Sequence, residues 1–179
     1  SDKDTVPFNR HANLGDVKRC SDAGADAIGL TFYIGDKDMQ QDVERLGKIV
    51  SEAHKYHLPV VIWAYSRGPL PGKVGADSLY WCHMGVSAAQ SVGADIVKTK
   101  FPAPASDVDA YEKMLFGEKG ADGFKNGEAG SDGFIEAKMA EGAWAYWQLE
   151  QPDEGDSFSH EKHVKRMNVV MKAADTTFV

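Results

Sequence analysis

Three short apolar runs stand out in the first hundred residues, and each is too short for a typical helix. They are AIGLTFY from Ala27, PVVIWAY from Pro59 and DIVKTKF from Asp95. Short runs rich in β-branched and aromatic residues predict strands, here strands that are buried on both faces. The three runs start 32 and 36 residues apart, and this near-constant spacing predicts a repeating unit.

Segments with helical periodicity separate these strands. Apolar residues recur every three or four positions between residues 38 and 57, and a second helix is predicted over residues 77–92, ending at Gly93. Strands that alternate with helices predict an α/β fold with a parallel sheet, either doubly wound or closed into a barrel. Reactive residue types follow the carboxyl ends of the strands, which favours a (β/α)8 TIM barrel, where active sites occupy that end.

The chain is short for such a barrel, because eight units need about 250 residues and the chain has 179. We therefore predict a single partial (β/α) barrel domain over residues 1–179. The period breaks after Phe101, and residues 102–157 are predicted as an inserted loop and helical excursion with turns at GADGF (120–124) and GSDGF (130–134). Helices are predicted over residues 134–149 and 160–174, and a strand starts at Thr176.

Composition excludes several classes of function. The chain carries 20 Lys and Arg against 27 Asp and Glu, a net charge of −7, which argues against nucleic acid as a partner because phosphates need clustered cations. No apolar run approaches the roughly 18 residues of a membrane span, so no membrane association is expected. The two cysteines form no CxxC motif, which fits reduced thiols in a cytoplasmic protein.

A pair of lysines within one predicted strand is the most unusual local feature. Lys98 and Lys100 in DIVKTKF fall on one face of a strand because side chains alternate. Burial of an ammonium ion is unfavourable, and both burial and a like-charged neighbour favour the neutral amine. A neutral amine can attack a carbonyl carbon and form a Schiff base. The alternative, which the segment leaves open, is that both side chains reach solvent or pair with carboxylates.

A second group of candidates follows the preceding strand. Trp63, Tyr65 and Arg67 in IWAYSRG alternate, so they point to the same side. The tyrosine can transfer a proton, the tryptophan can offer a flat wall to a sugar, and the arginine can meet a phosphate or hold the tyrosine. The alternative is a packed strand end with a surface arginine. A Schiff-base lysine beside a proton-transferring tyrosine would supply the two groups that an aldol cleavage needs.

The segments GADAIGLTFYIG, LPVVIWAYSRGP and GADIVKTKFP resemble the archaeal-type class I fructose-bisphosphate aldolases, also called the DhnA or FbaB group. The resemblance implies a (β/α)8 barrel, of which this chain would hold about the fourth to early seventh strands, acting without metal or other cofactor. It implies that Lys98 is the Schiff-base residue, Tyr65 the general acid/base and Trp63 a neighbour of the substrate. We also predict that Arg67 and Lys100 bind substrate.

The expected reaction is the reversible cleavage of fructose 1,6-bisphosphate to dihydroxyacetone phosphate and glyceraldehyde 3-phosphate. This would make the protein a lyase of glycolysis and gluconeogenesis whose partner is a small sugar phosphate, and we expect a homo-oligomer. The family's Ser-Gly-Gly and Gly-Arg phosphate-binding segments are absent from this sequence. Two alternatives stay open: a related heptulosonate synthase or transaldolase that uses the same Schiff base, and a non-catalytic barrel fragment.

Overall fold

The computed structural model describes residues 15–36, 38–125, 147–153, 157–174 and 179. None of the helices in these ranges is both long and apolar enough to cross a membrane. The elements in chain order are α1 (Val17–Asp22), β1 (Ile28–Ile34), α2 (Met39–Lys55), β2 (Val60–Ser66), α3 (Pro69–Val74), α4 (Leu79–Ser91), β3 (Ile96–Lys98), α5 (Val108–Phe116), α6 (Gly120–Lys125) and α7 (His160–Met171).

The three strands form one parallel sheet in the order β1-β2-β3. Ile28 pairs with Val60, and Val61 pairs with Ile96, so each strand continues the sheet beside the one before it. Helices α2 and α4 lie in the connections, because parallel neighbours need a crossover. The predicted parallel α/β organisation is confirmed, and each observed strand starts one residue later than predicted.

Only one face of the sheet is well buried. Phe32, Ile62 and Val97 are at most 1% exposed, and they belong to the face against which α2 and α4 pack. On the other face Gly29 and Lys98 are exposed. The prediction of strands buried on both faces is therefore wrong for the part of the chain described: its helices cover one face, and three strands are too few to curl around and enclose the other.

The predicted turn at residues 120–124 is also wrong, since helix α6 occupies this position. The reason is a cap supplied from the preceding helix. Oε1 of Glu112 in α5 accepts a hydrogen bond from the backbone N–H of Ala121 at 2.7 Å, which satisfies a donor that a helix start otherwise leaves unpaired. The second Asp-Gly segment, the predicted helix up to residue 146 and residues 176–178 of the predicted strand lie outside the described residues.

A buried polar network joins the later helices to the segment after β3. Arg166 of α7 is fully buried and donates from Nη2 to Glu150 Oε2 at 3.3 Å and to the carbonyl oxygen of Ala103 at 3.0 Å. Glu150 Oε1 accepts from the backbone N–H of Tyr80 at 3.1 Å and from the hydroxyl of Tyr111. The network therefore connects α4, α5 and α7 with the segment that follows β3.

The carboxyl group of Glu150 titrates far from its ordinary range. Burial raises its pKa to about 7, and the Tyr111 hydrogen bond and the charge of Arg166 oppose this rise. Since the pKa in the folded protein lies above the ordinary value of 4.5, folding favours the protonated form. The resulting stabilisation is fully present below the ordinary value and is lost as the pH rises through about 7.

We expect Arg166→Met to leave the Glu150 carboxylate buried without its cation. At pH 8.5 this should lower the free energy of unfolding by about 3–5 kcal/mol. At pH 5 the loss should be much smaller, because the carboxyl of the folded protein is then protonated. Urea denaturation at both pH values measures the difference.

The control for this substitution is Lys165→Met on the same helix. Lys165 forms an ion pair with Glu161 in which both side chains are largely exposed, so its loss should change stability little at either pH. Equal losses for the two variants, or a loss at Arg166 that does not depend on pH, would contradict the role given to the network.

Candidate active site at the carboxyl end of the sheet

Three predicted site residues share the sheet face that the helices leave uncovered. Trp63 of β2 pairs in register with Lys98 of β3, so their side chains emerge side by side. Tyr65 lies two residues further along β2 and therefore on the same face, opposite Tyr33 of β1. Trp63 and Tyr65 are half-buried, whereas Lys98 is exposed. The register thus places an amine, an indole and a phenol on one surface near the carboxyl ends of the strands.

Lys98 is the last residue of β3, where the strand runs out into a loop. The expectation that it lies in a buried strand is wrong for the described chain, since no helix covers this face. Across residues 15–36, 38–125, 147–153 and 157–174, no carboxylate forms an ion pair with its ammonium group. Within these ranges the exposed amine of Lys98 is therefore not engaged in a structural ion pair.

Arg67 contacts Tyr65 directly. Its backbone N–H donates to the carbonyl oxygen of Ile34 at 2.8 Å, and its Nη1 donates to the carbonyl oxygen of Ser66 at 2.6 Å. The guanidinium carbon then lies 5.7 Å from the centre of the Tyr65 ring, within the range of a cation–π interaction. Two roles are predicted for Arg67, binding a phosphate and holding the tyrosine. This geometry matches the second.

Gly68 allows the loops after β1 and β2 to meet backbone to backbone. Its φ is 123°, and a Cβ at this position would collide with the carbonyl oxygen of Gly35. Only glycine combines this conformation with so close an approach. The contact fixes the path of the chain directly after Arg67, and so helps to set where the guanidinium lies.

Lys100 is held at the rim of the sheet rather than within a strand. Because β3 ends at Lys98, strand alternation no longer fixes the direction of Lys100, and the common face of the two lysines stays a prediction. The Lys100 ammonium donates to Oδ2 of Asp77 at 2.5 Å. The carbonyl oxygen of Asp77 accepts from the backbone N–H of Ala103 at 2.7 Å, so Asp77 binds the segment after β3 twice.

Asp77 is the residue of this site that sequence reasoning missed. It precedes α4, and its sequence context indicates only a helix start. It lies 23 residues from Lys100, and no local pattern connects residues at that distance. Only the packing of α4 beside β3 reveals the contact.

Within the described part of the chain, neither Cys82 nor a cluster of metal ligands adds to the chemistry of this site. Burial is the main cause that raises the pKa of Cys82 to about 12, so the thiol stays protonated at neutral pH and is a poor nucleophile. Among the residues that the structure describes, no three His, Cys, Asp or Glu side chains gather closely enough to hold a metal ion.

Comparison with known proteins gives a consistent picture. A family model described as DeoC/LacD family aldolase matches residues 2–126. A class 1 fructose-bisphosphate aldolase of Halobacterium salinarum is 34% identical over 87 residues, 48% of this chain and 32% of the relative. A 2-amino-3,7-dideoxy-D-threo-hept-6-ulosonate synthase of the same species is 32% identical over 103 residues, 56% of this chain and 36% of the relative. The predicted resemblance is confirmed, and the chain spans about a third of the length of these relatives.

Two solved structures resemble the chain in part. A crystal structure of an archaeal fructose 1,6-bisphosphate aldolase gives a TM-score of 0.48 at 20% identity, covering 94% of this chain and 54% of that one. An aldolase structure from Slackia heliotrinireducens gives a TM-score of 0.48 at 19% identity, covering 94% and 61% respectively.

We expect Asp77→Asn to release the Lys100 ammonium without unfolding the protein. The pair is partly exposed, with side-chain exposures of 46% and 32%, so the stability loss should not exceed about 1 kcal/mol. Acylation of Lys100 should become faster, whereas acylation of Lys98 should stay unchanged. Competitive labelling followed by peptide mass spectrometry measures both rates.

The matched control for this substitution is Asp26→Asn, an exposed aspartate for which the described residues provide no cation. It should change neither rate. A faster reaction of Lys100 in both variants, or in neither, would contradict the positioning of Lys100 by Asp77.

Proposed function

Because the chain belongs to the DeoC/LacD family of aldolases, we propose that it is a class I aldolase that cleaves fructose 1,6-bisphosphate through a Schiff base. The observation that carries the proposal is the register of β2 and β3, which sets Lys98 beside Trp63 with Tyr65 on the same face. An amine and a phenol at the carboxyl end of a parallel sheet are the groups that a metal-independent aldol cleavage requires.

The reaction would begin at Lys98. Its neutral amine attacks the ketone carbon of the sugar phosphate, and loss of water leaves an iminium ion that can accept electrons. Tyr65, as phenolate, removes the proton of the hydroxyl beyond the scissile bond, and the carbon–carbon bond breaks to release the aldehyde. The electron pair of that bond forms the enamine. Tyr65 then returns the proton to the enamine carbon, and water releases the ketone product and regenerates the amine.

The remaining candidates would bind and orient the substrate. Trp63 lies beside Lys98 and offers an apolar surface to the carbon chain of a sugar. Arg67 would hold the Tyr65 ring through its cation–π contact and so fix the position of the phenol. Lys100, tied to Asp77, adds a second cation near the carboxyl end of β3, where a phosphate group of the substrate would be attracted.

The sheet would form one arc of a (β/α)8 barrel, about its fourth to early seventh strands, with residues 102–157 as an excursion. The one-sided burial supports this, because the exposed face of β1, β2 and β3 is the face that a closed barrel covers with its opposite wall. A homo-oligomer and a cytoplasmic location stay predictions from the sequence.

A heptulosonate synthase is the second candidate, favoured by the similarity to such an enzyme over 103 residues. It would form the same Schiff base at Lys98 but pass the enamine to a different acceptor. Cleavage of fructose 1,6-bisphosphate, tested alongside a panel of aldehyde acceptors, separates the two.

Borohydride reduction in the presence of fructose 1,6-bisphosphate should attach the sugar to Lys98 and inactivate the protein, because reduction turns the iminium into a stable amine. Peptide mass spectrometry locates the added mass. Lys98→Arg should abolish the adduct, whereas Lys100→Arg should retain it. An adduct on another lysine, or none in the wild-type protein, contradicts the proposal.

Tyr65→Phe should separate the two chemical roles. Adduct formation on Lys98 should persist, but cleavage should slow by about 10²–10⁴-fold, the usual contribution of a general acid or base. Tyr33→Phe provides the control, since Tyr33 is the register partner of Tyr65 on the neighbouring strand. Equal losses in the two variants would argue against Tyr65 as the proton-transfer group.

A further inference from the structure

Gly29 is the second residue of β1, and glycine is uncommon within strands. It lies on the same sheet face as the candidate site, opposite Val61, while the next residue of β1 on that face, Thr31, pairs with Trp63. Gly29 is therefore the diagonal neighbour of Trp63, displaced toward the amino end of the sheet. Glycine weakens a strand and offers no side chain to pack, so its presence here indicates a close approach by another group.

The group that approaches is the indole of Trp63. A Cβ built on Gly29 would collide with Cζ3 and Cη2, the outer atoms of the six-membered ring. The ring thus leans from β2 across the backbone of β1. Lys98 lies on the opposite side of Trp63, on β3, so the indole leans away from the amine.

We propose that Gly29 is a positioning residue: by having no side chain, it lets Trp63 lie across β1 and keeps the surface beside Lys98 open to a sugar. The inference rests on the proposed function for the role of that surface, but the geometry stands by itself. Any side chain at position 29 would occupy the volume of the indole. The ring would then have to rotate toward β3 or rise from the sheet, into the space that a substrate on Lys98 would fill.

Gly29→Ala is the mildest test of this clash, because it adds only one methyl group. We expect acylation of Lys98, measured against the exposed Lys55 as an internal reference, to fall several-fold as the displaced ring covers the amine. Borohydride trapping of the sugar should fall by about ten- to a hundredfold, as expected when a reacting group is obstructed or displaced. Gly47→Ala is the matched control, because a Cβ at Gly47 meets nothing within 4 Å.

The same substitution in a Trp63→Ala background tests whether Gly29→Ala acts through the indole of Trp63. Without the indole, Gly29→Ala should have no effect on acylation of Lys98. An effect that persists would show that the methyl group acts on the strand and not through Trp63, and would overturn the inference. If Gly29→Ala alone does not fold, as judged by circular dichroism, Gly29→Ala/Trp63→Ala should fold, because the atoms that collide with the methyl group are then absent. Failure of this double variant to fold would overturn the inference.

The two assays separate the inference from the proposed function. If the wild-type protein forms no borohydride adduct, the aldolase proposal fails, and acylation still tests whether Gly29 controls access to Lys98. If the adduct forms but Gly29→Ala reacts like Gly47→Ala in both assays, the inference fails and the aldolase proposal stands.

Discussion

The pairing of β2 with β3 is the constraint on which the candidate site depends. In a parallel sheet, the register decides which side chains stand next to each other, and a shift of one residue moves a side chain to the other face. The pairing of Ile62 with Val97 puts two apolar side chains under the helices. The next pair, Trp63 with Lys98, must then point the other way. Burial of the core and exposure of the amine are thus two consequences of one register.

The segment after β3 is held by two sets of polar contacts. Asp77 binds Lys100 through its carboxylate and Ala103 through its carbonyl oxygen. Arg166, which is paired with Glu150, donates to the carbonyl oxygen of Ala103. The Arg166–Glu150 pair is buried, and a buried charge is tolerated only when it is paired, so the contact of Arg166 with Ala103 restricts where the chain can go after Lys98. The rigidity of the proposed catalytic strand end therefore depends on residues far from it in sequence.

The local residue pattern predicted the strands well, because the preference of β-branched and aromatic runs such as PVVIWAY for strand structure depends on only a few neighbouring residues. It failed at residues 120–124, where the Asp-Gly turn signal was weaker than the cap that Glu112 gives to α6. It also overstated the burial of Lys98, since an apolar run reveals that a strand is covered but not how many of its faces are. The residue types at the site were visible in the sequence, but the contact between Arg67 and Tyr65 was not.

The sequence by itself determined the alternation of helices and strands, the shared side of Trp63 and Tyr65, and the family resemblance, because each is encoded in residues close together along the chain. The tertiary structure alone decided that Lys98 lies beside Trp63, that Asp77 forms an ion pair with Lys100, and that the indole lies over Gly29. These contacts join different strands and loops. They are set by the register of the strands and by the packing of the helices on the sheet, and no local pattern records either.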